Sequence, residues 1–497
     1  MPYNGLICRK NDTLDREAAG SSRIAVPSRN LLILFIAAVV SLACYSEAEH
    51  RRYLAVLADA MGLIEDNFLE PVEERTLFEG AMEGMVASLN DQYSSFIPPQ
   101  SFTEFQASLD QEFGGVGIIV EPHPESKYLT VISPLVNTPA YEGGVRAGDV
   151  ILTIDGKTTR DLAIGDAVSL MRGRPGSMVS LSIQRMGLQA PLQVELERRI
   201  IPIESVLGDV RRPDGVWNYF LESQPRIGYI RLITFGDHTV REMETALKQY
   251  EQHPIDALIL DMRGNAGGYL NAAIDVSNMF IEQGRIVSTR GRDGEVRVAY
   301  DARPSKLRFP RSIPLAVLVN SDSASASEIV AACLQDHHRA SIVGERSWGK
   351  GTVQNVIELE GGKSALKLTT ASYWRPSGKN IHRTQDAPED GDWGVTPDPE
   401  LLVPMDDRVK QEVQRLRSLR DIVLRPGEDP PSLDWAFTLP DDQSAYDRGG
   451  TGAATSKAAS ETPTITEWLD DPQLQRAIQH LRQEVEQAGR TSNLNRA

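Results

Sequence analysis

Cysteine is scarce in this chain of 497 residues: Cys8, Cys44 and Cys333 are too few and too far apart for a disulfide framework or a Cys-x-x-Cys metal site. Basic charge is short as well. Fifty-two lysines and arginines stand against 69 aspartates and glutamates, a net charge of −17, so the chain offers no basic face for nucleic acid. No His-x-x-x-His pair is present, so no metal is expected, and no Gly-x-Ser-x-Gly, which argues against the usual hydrolase elbow. Gly264-Asn265-Ala266-Gly267-Gly268 has neither the Walker lysine nor the Gly-x-Gly-x-x-Gly order of a nucleotide cradle, and no cofactor is expected. Long apolar runs are rare too. The main one, Leu31 to Tyr45 (LLILFIAAVVSLACY), is long for the core of a signal peptide and short for a relaxed membrane span. Either way it directs the chain to a membrane. Arg23 and Arg29 before it place residues 1–30 in the cytoplasm and the remainder outside. Ser41-Leu42-Ala43 offers a cleavage site. Lipidation at Cys44 ranks third, because Ser41 stands where such signals usually carry leucine.

What is present suits several compact bodies. A hydrophobic share of 41% builds cores and 24% charged residues keep their surfaces wet. Residues 1–49 form the N-terminus and anchor. Residues 50–112 read as helical, with apolar stripes through Tyr53, Val56, Leu57, Met61 and Ile64, and through Leu77, Ala81, Met85 and Leu89. Over 113–200 the period changes to two, with turn residues between the strands and a hairpin signal at Asp155-Gly156. Residues 201–406 alternate strand, glycine turn and helix, the pattern of an α/β body with a mostly parallel sheet. In 407–497 a flexible linker at 440–463 precedes a helix carrying Leu474, Ala477, Ile478, Leu481 and Val485.

Chemistry concentrates between Ala316 and Gln354. A buried strand (Ala316 to Val319) runs through a turn of small residues into a helix, and Ser325 sits at the junction beside unpaired helix N–H groups. Ser325 with Glu328 also fits a capping box, which is the plain structural reading. Lys350, between Gly349 and Gly351, offers a base and Gln354 a group to orient it. Lys350 reads equally as a surface turn residue. Ser323 and Ser327 are alternative nucleophiles, and His337, His338 or His382 alternative bases. Strands in such sheets present functional groups at their carboxyl ends, so the turn at 263–268 and the turn at 321–325 can face one site.

SASASEIVAACLQDHHRASIVGERSWGKGTVQ resembles the active-site block of the C-terminal processing (tail-specific) serine peptidases, which are Ser-Lys enzymes. The family's nucleophile stands 25 residues before its lysine, which favours Ser325 with Lys350, and Gln354 orients the amine without adding charge. DMRGNAGG resembles the family's oxyanion turn, so the resemblance implies Gly268 and Ala326 as the two backbone donors. GGVGI and GVRAGDVILTIDG resemble a PDZ domain, in which Gly114, Gly115, Val116, Gly117 and Ile118 bind a peptide's terminal carboxylate. AMEGMVASLNDQYSSFIPP resembles the family's helical arm for assembly, LTTASYWRPSGKNIH its cleft wall, and GVTPDPEL closes the match, which covers roughly Tyr53 to Val403.

The resemblance implies a ClpP/crotonase-like core with an inserted PDZ module and an N-terminal helical arm. It further implies a membrane-associated endopeptidase of the extracytoplasmic envelope that reads free C-termini of protein substrates, with self-assembly and an activator protein as further partners. A catalytically silent PDZ scaffold on the same fold is the second reading, and an ester hydrolase using the same serine the third.

Overall fold

The computed structural model describes residues 28–109, 112–123, 126–212, 214–384, 386–422 and 471–494, and the chain divides into two units, 1–85 and 86–497. The first unit is built from α1 (Ser28–Asn67) and most of α2 (Glu74–Ala87). The apolar stripe expected on α1 is open: Tyr53, Val56, Leu57 and Ile64 are all exposed. The apolar run 31–45 lies on α1, with most of its side chains outside the described residues. Among the described residues no helix is long and apolar enough to cross a membrane.

Helix does not persist to Leu109 as the periodicity suggests. Asn90 takes a positive φ of 51°, and Asp91 then accepts the N–H of Tyr93 and the hydroxyl of Ser94. That turn starts β1 (Ser95–Ile97), and helix resumes only in α3 (Pro99–Leu109).

The next module is antiparallel. Its strands are β2 (Glu112–Gly115), β3 (Ile118–Pro122), β4 (Leu129–Pro134), β5 (Val150–Ile154), β6 (Lys157–Thr158), β7 (Met178–Gln184), β8 (Leu192–Glu197) and β9 (Arg199–Pro202). Short helices α4 (Pro139–Glu142) and α5 (Ile164–Met171) lie between them; α5 was not foreseen. The order is β3-β4-β5-β7-β8, with β6 on β5 and β2 on β9. Asp155 and Gly156 both take positive φ, as a two-residue hairpin turn requires. Val131, Ile151, Ile154, Leu181 and Ile183 are fully buried and make the core. Among the described residues β3 pairs only with β4, so its other edge is open.

The larger body contains β10 (Val206–Leu207), β11 (Val210–Arg211), β12 (Trp217–Asn218), β13 (Phe220–Leu221), β14 (Gln224–Leu232), β15 (Ala257–Asp261), β16 (Arg285–Arg290), β17 (Val296–Asp301), β18 (Leu315–Val319), β19 (Ser341–Gly344), β20 (Thr352–Leu359) and β21 (Ser364–Trp374). Its helices are α6 (Thr239–Gln252), α7 (Leu270–Asn278), α8 (Ala326–Asp336), α9 (Asp407–Arg420) and α10 (Pro472–Leu494). The expectation of a mostly parallel sheet holds for four strands only: β14, β15, β18 and β19 are parallel, in that order. β10 and β13 join β14 antiparallel, and β1, β21, β16, β17 and β20 form a second, wholly antiparallel sheet. The architecture is mixed α/β with mostly antiparallel pairings. The cause lies in the connections. A helix separates each parallel strand from the next, whereas β20 and β21 meet through a tight turn with positive φ at Glu360, Gly361 and Gly362, which can only return the chain antiparallel.

The parallel strands are buried on both faces, which is why they read as unbroken apolar runs. Leu258, Leu260, Val317 and Val319 face α6, α7 and α8. Ala257, Ile259, Ala316 and Leu318 face the other way and are covered by Leu474, Ala477, Ile478 and Leu481 of α10. The terminal helix thus docks on the body. The linker expected at 440–463 lies outside the described residues.

Candidate active site

Both special turns lie at carboxyl ends of neighbouring parallel strands, β15 and β18, and they are stitched together. Gly264 N–H donates to the Asn320 side-chain oxygen at 2.9 Å, Ala324 N–H to the Asn265 carbonyl at 3.0 Å, and the Asn265 amide to the Leu232 carbonyl at 2.6 Å. Two of the three candidate serines belong to this stitching. Ser323 donates to the Met262 carbonyl at 2.8 Å and Ser327 to the Asn265 carbonyl at 2.8 Å, and neither has any exposed surface.

Ser325 differs. It sits one residue before α8 with φ 56° and ψ −112°, a conformation that costs a residue with a Cβ on the order of 1–3 kcal/mol. Of the three serines it alone keeps some exposed surface, 8% against none for Ser323 and Ser327. The helix behind it is buried from Ala326 to Leu334, and its two polar side chains there, Ser327 and Glu328, are both hydrogen-bonded, so the turn rests on a rigid base.

Peptide planarity fixes where the nearby N–H groups point, since C=O and N–H of one trans peptide are opposed. The Ser325 carbonyl accepts from Ile329 inside α8, so the Ala326 N–H points out of the helix end. The Gly267 carbonyl accepts from Phe235 N–H, so the Gly268 N–H points away from Phe235. Gly268 has φ 143°, and a methyl there would lie 2.1 Å from the Phe235 carbonyl oxygen. A methyl on Gly267 would lie 2.8 Å from Ser325 Cβ and 3.0 Å from Ala326 N. Only glycines let the two turns approach this closely.

The loop bearing Lys350 is tied to the same place by Glu328. Its carboxylate, without exposed surface, accepts Ser325 N–H (2.8 Å) and Lys350 N–H (2.8 Å) on one oxygen. The other oxygen accepts the Ser347 hydroxyl (2.6 Å) and Gly349 N–H (2.6 Å). Sharing one acceptor places the backbone nitrogens of Ser325 and Lys350 within about 6 Å of each other. Burial pushes the Glu328 carboxyl up to about 7 against those four bonds. The sequence shows Glu328 only as a cap partner.

Lys350 is half-buried, and its Nζ lies 5.0 Å from the centre of the Tyr93 ring. Burial lowers its pKa, the charge of Lys367 lowers it further, and Glu328 opposes both. Tyr93 was not foreseen here. Its segment was assigned to the helical arm, whereas the turn at Asp91 brings its hydroxyl within 3.1 Å of Trp348 Nε1, which donates to it. Gly351 lets segment 381–383 pass close by: a methyl on it would lie 2.2 Å from His382 N.

Gln354 stands on β20 at a bulge, and its amide nitrogen donates to the hydroxyls of Thr352 (2.8 Å) and Thr369 (3.3 Å). Its carbonyl oxygen is the atom left to accept from an amine. The histidine alternatives fare poorly. His337 caps the other end of α8, roughly 18 Å from Ser325 along the helix, and bonds the Arg285 carbonyl; His338 follows it. His382 lies on the segment that passes the Lys350 loop, edge-on to Tyr93 at 6.5 Å, with its pKa pushed down by burial.

Gly114 to Ile118 lie apart from these turns, on the antiparallel module. Val116 is buried, its carbonyl accepting Ala140 N–H, while the Gly117 carbonyl accepts Leu135 N–H. By the same planarity, the N–H groups of Gly117 and Ile118 point away from those partners at the start of the open edge of β3. Gly114 and Gly115 pair with Ile200 and Arg199 and shape the entry. A cleft of about 860 Å³ separates this module from the larger body, lined by Glu121 and Ile132 on one side and by Arg263, Gly264 and Asp322 on the other. Among the described residues no group of His, Cys, Asp and Glu could hold a metal.

Comparison with known proteins agrees with this layout. Residues 226–401 match peptidase family S41, residues 130–185 the PDZ domain, and residues 40–100 the activating protease CtpB N-terminal domain. The chain is 37% identical over 374 residues to the carboxy-terminal-processing protease of Bartonella bacilliformis, covering 74% of this chain and 80% of that one. It is 32% identical over 347 residues to carboxy-terminal processing protease CtpB of Bacillus subtilis, covering 70% and 69%. A solved structure described as a photosystem II D1 C-terminal processing protease is 27% identical and covers 73% of this chain and 97% of that chain, with a TM-score of 0.40. Identity of this order over more than two thirds of both relatives, with the family model lying over the parallel strands and both turns, makes the chain a member of peptidase family S41: a carboxy-terminal processing protease with a PDZ domain.

Proposed function

We propose that this protease is a serine endopeptidase with a Ser325-Lys350 dyad. The observation that carries the reading is the shared carboxylate of Glu328, which holds the strained turn of Ser325 and the loop of Lys350 in one place. Neutral Lys350 takes the Ser325 hydroxyl proton as Oγ attacks the substrate carbonyl. The N–H groups of Gly268 and Ala326 receive the oxyanion. Lys350 then passes its proton to the leaving amine, and water, deprotonated by the same lysine, releases the acyl group and restores the serine. Gln354 accepts from the amine through its carbonyl oxygen and keeps it in line without adding charge. A lysine in water holds its proton to about pH 10.4, so burial beside Lys367 is what makes the base available.

The substrate's free C-terminus is read by the PDZ domain. Its carboxylate meets the N–H groups at Gly117 and Ile118 and its chain adds to the edge of β3. The protease works at the extracytoplasmic face of a membrane, on the strength of the apolar run 31–45 and the arginines before it. The exposed stripe on α1 supports self-assembly through the arm, and an activator protein belongs to the same reading.

The test uses the full chain with Ser325→Ala and Lys350→Ala on an unfolded protein substrate whose C-terminus is free or amidated. Cleavage by the unaltered chain, lost in both variants and weakened by amidation, is the expected result. Undiminished cleavage by Ser325→Ala sinks the dyad.

A further inference from the structure

The turn that carries Gly268 leaves β15 through Asp261 and Arg263, and both side chains are almost wholly buried. The Arg263 guanidinium donates to the two oxygens of Asp261 at 3.0 and 2.7 Å. On its other side it donates to the two oxygens of Asp471 at 2.9 and 2.7 Å, and to Gln473 Oε1 at 3.1 Å. Asp471 stands 208 residues further along the chain. It precedes Pro472, the first residue of α10, and accepts the N–H of Leu474 at 3.0 Å, so it is both helix cap and arginine partner. Gln473 is fully buried and donates to the Val403 carbonyl at 2.9 Å.

We infer that Asp471 is a positioning residue for the oxyanion turn, acting through Arg263, and that the C-terminal helix is therefore part of the catalytic apparatus. The inference rests on the reading of Gly268 as an oxyanion donor. Asp261 already balances the charge of Arg263, and α10 is also tied to the body by its apolar face and by bonds such as those of Arg476 to the Glu400 carbonyl, so Asp471 is neither the only counter-charge nor the only docking contact. What the second carboxylate adds is geometry. A planar guanidinium forked on both edges by carboxylates cannot rotate about its own side-chain torsions, and its backbone opens the turn Gly264 to Gly268. Burial raises the Asp261 carboxyl, but the charge and bonds of Arg263 and the Tyr229 hydroxyl at 2.7 Å outweigh it and hold the group ionised below its usual range. The Tyr229 hydroxyl is in turn donated to by Arg417 of α9 at 3.0 Å. Elements from beyond residue 406 thus converge on the base of the turn from two sides.

The experiment compares the full chain with Asp471→Asn, Asp471→Glu and Leu481→Ala, reading melting temperature, kcat, KM and the rate of reaction with a fluorophosphonate. Leu481 is fully buried in the helix-to-sheet contact ten residues beyond Asp471, about 15 Å along the helix, so it supplies a loss of stability without loss of the fork. Asp471→Asn is expected to lower kcat and the fluorophosphonate rate together, on the order of 10- to 100-fold, with KM little changed, because a small displacement of an oriented group costs about that much. Asp471→Glu, which keeps a carboxylate and a cap, falls between. Leu481→Ala lowers the melting temperature and leaves kcat alone. An Asp471→Asn protein with unaltered kcat, or one whose loss Leu481→Ala matches, overturns the inference. Ser325→Ala run alongside separates the two failures: cleavage retained there overturns the dyad, whereas a silent Ser325→Ala beside an unimpaired Asp471→Asn overturns the positioning role alone.

Discussion

The carboxylate of Glu328 accepts the backbone N–H of Ser325 at 2.8 Å, and the oxygen that does so also accepts the N–H of Lys350. One residue on the first turn of α8 therefore limits the distance between the backbones of the proposed nucleophile and the proposed base. All four of its bonds come from donors, two on each oxygen, so its partners favour the carboxylate while burial, the larger effect, opposes its charge.

Glu328→Gln is accordingly a severe change despite its shape. The amide nitrogen must replace one oxygen: at one it faces the fixed N–H groups of Ser325 and Lys350, and at the other the fixed N–H of Gly349, where only the Ser347 hydroxyl can turn to accept. Each buried donor left unsatisfied costs about 1–3 kcal/mol. The variant is expected to lose cleavage by at least about 10-fold and to melt earlier, measured by peptide hydrolysis and calorimetry; wild-type activity in Glu328→Gln would show that the carboxylate does not set the dyad.

The same group predicts how stability follows pH. Its carboxyl is raised from the ordinary 4.5 to about 7, chiefly by burial, so the folded protein binds this proton more tightly than the unfolded chain. The stability it lends is complete below the unfolded value, near pH 4.5, and is lost as pH rises through about 7. The size is about 3 kcal/mol by linkage. Urea midpoints taken between pH 4.5 and 8, compared with those of Glu328→Gln, should show this component in the unaltered protein alone.

Lys367 offers a test of the base. It stands on β21, and its charge helps to lower the Lys350 pKa after burial. Lys367→Gln removes the repulsion, raises the Lys350 pKa, and should move the acidic limb of kcat/KM to higher pH with little change at the alkaline plateau. An unmoved limb would mean that another group titrates there.

How much of this was legible depended on whether the determinant was local. Helix α6, strands β15, β18 and β19, and the short helix Pro139–Glu142 follow from apolar period and turn residues. The second sheet does not: the segment of β21 reads only as a cleft wall through resemblance, and nothing local says that β16 and β1 come to pair with β21. Ser325 and Lys350 stood out through their neighbours and through resemblance. Glu328 was visible in Ser-x-x-Glu yet reads as a cap, since its other three donors come from a loop some 20 residues on. Tyr93 carries no signal of its own, and Asp471 before Pro472 reads only as a helix start. Their roles arise from contacts with residues more than 200 positions away.

Gly267 tests the approach of the two turns. A methyl there lies 2.8 Å from Ser325 Cβ, and φ 104° is hostile to any side chain. Gly267→Ala should lower kcat on the order of 100-fold, the scale of losing one oxyanion donor, while peptide binding by the PDZ domain is unaffected. Equal loss of both would point to general unfolding, which circular dichroism reads directly.

Recognition at the PDZ domain is separable from chemistry because its donors lie on another sheet. Gly117 has φ 76°, and a methyl on it would sit 2.4 Å from Thr138 Cβ, so Gly117→Ala must displace either the loop or the start of α4. Either shift moves the N–H groups proposed to face the carboxylate. Binding of a fluorescent peptide with a free C-terminus, followed by anisotropy, should weaken about 10- to 100-fold, the worth of hydrogen bonds to a charged group. The same peptide with an amidated terminus should bind the unaltered protein and the variant equally weakly, because it never used those donors. A small activated ester, too short to reach β3, should be hydrolysed by both at the same rate; if the variant fails on the ester as well, the carboxylate site and the dyad are coupled through the body rather than only through the substrate chain.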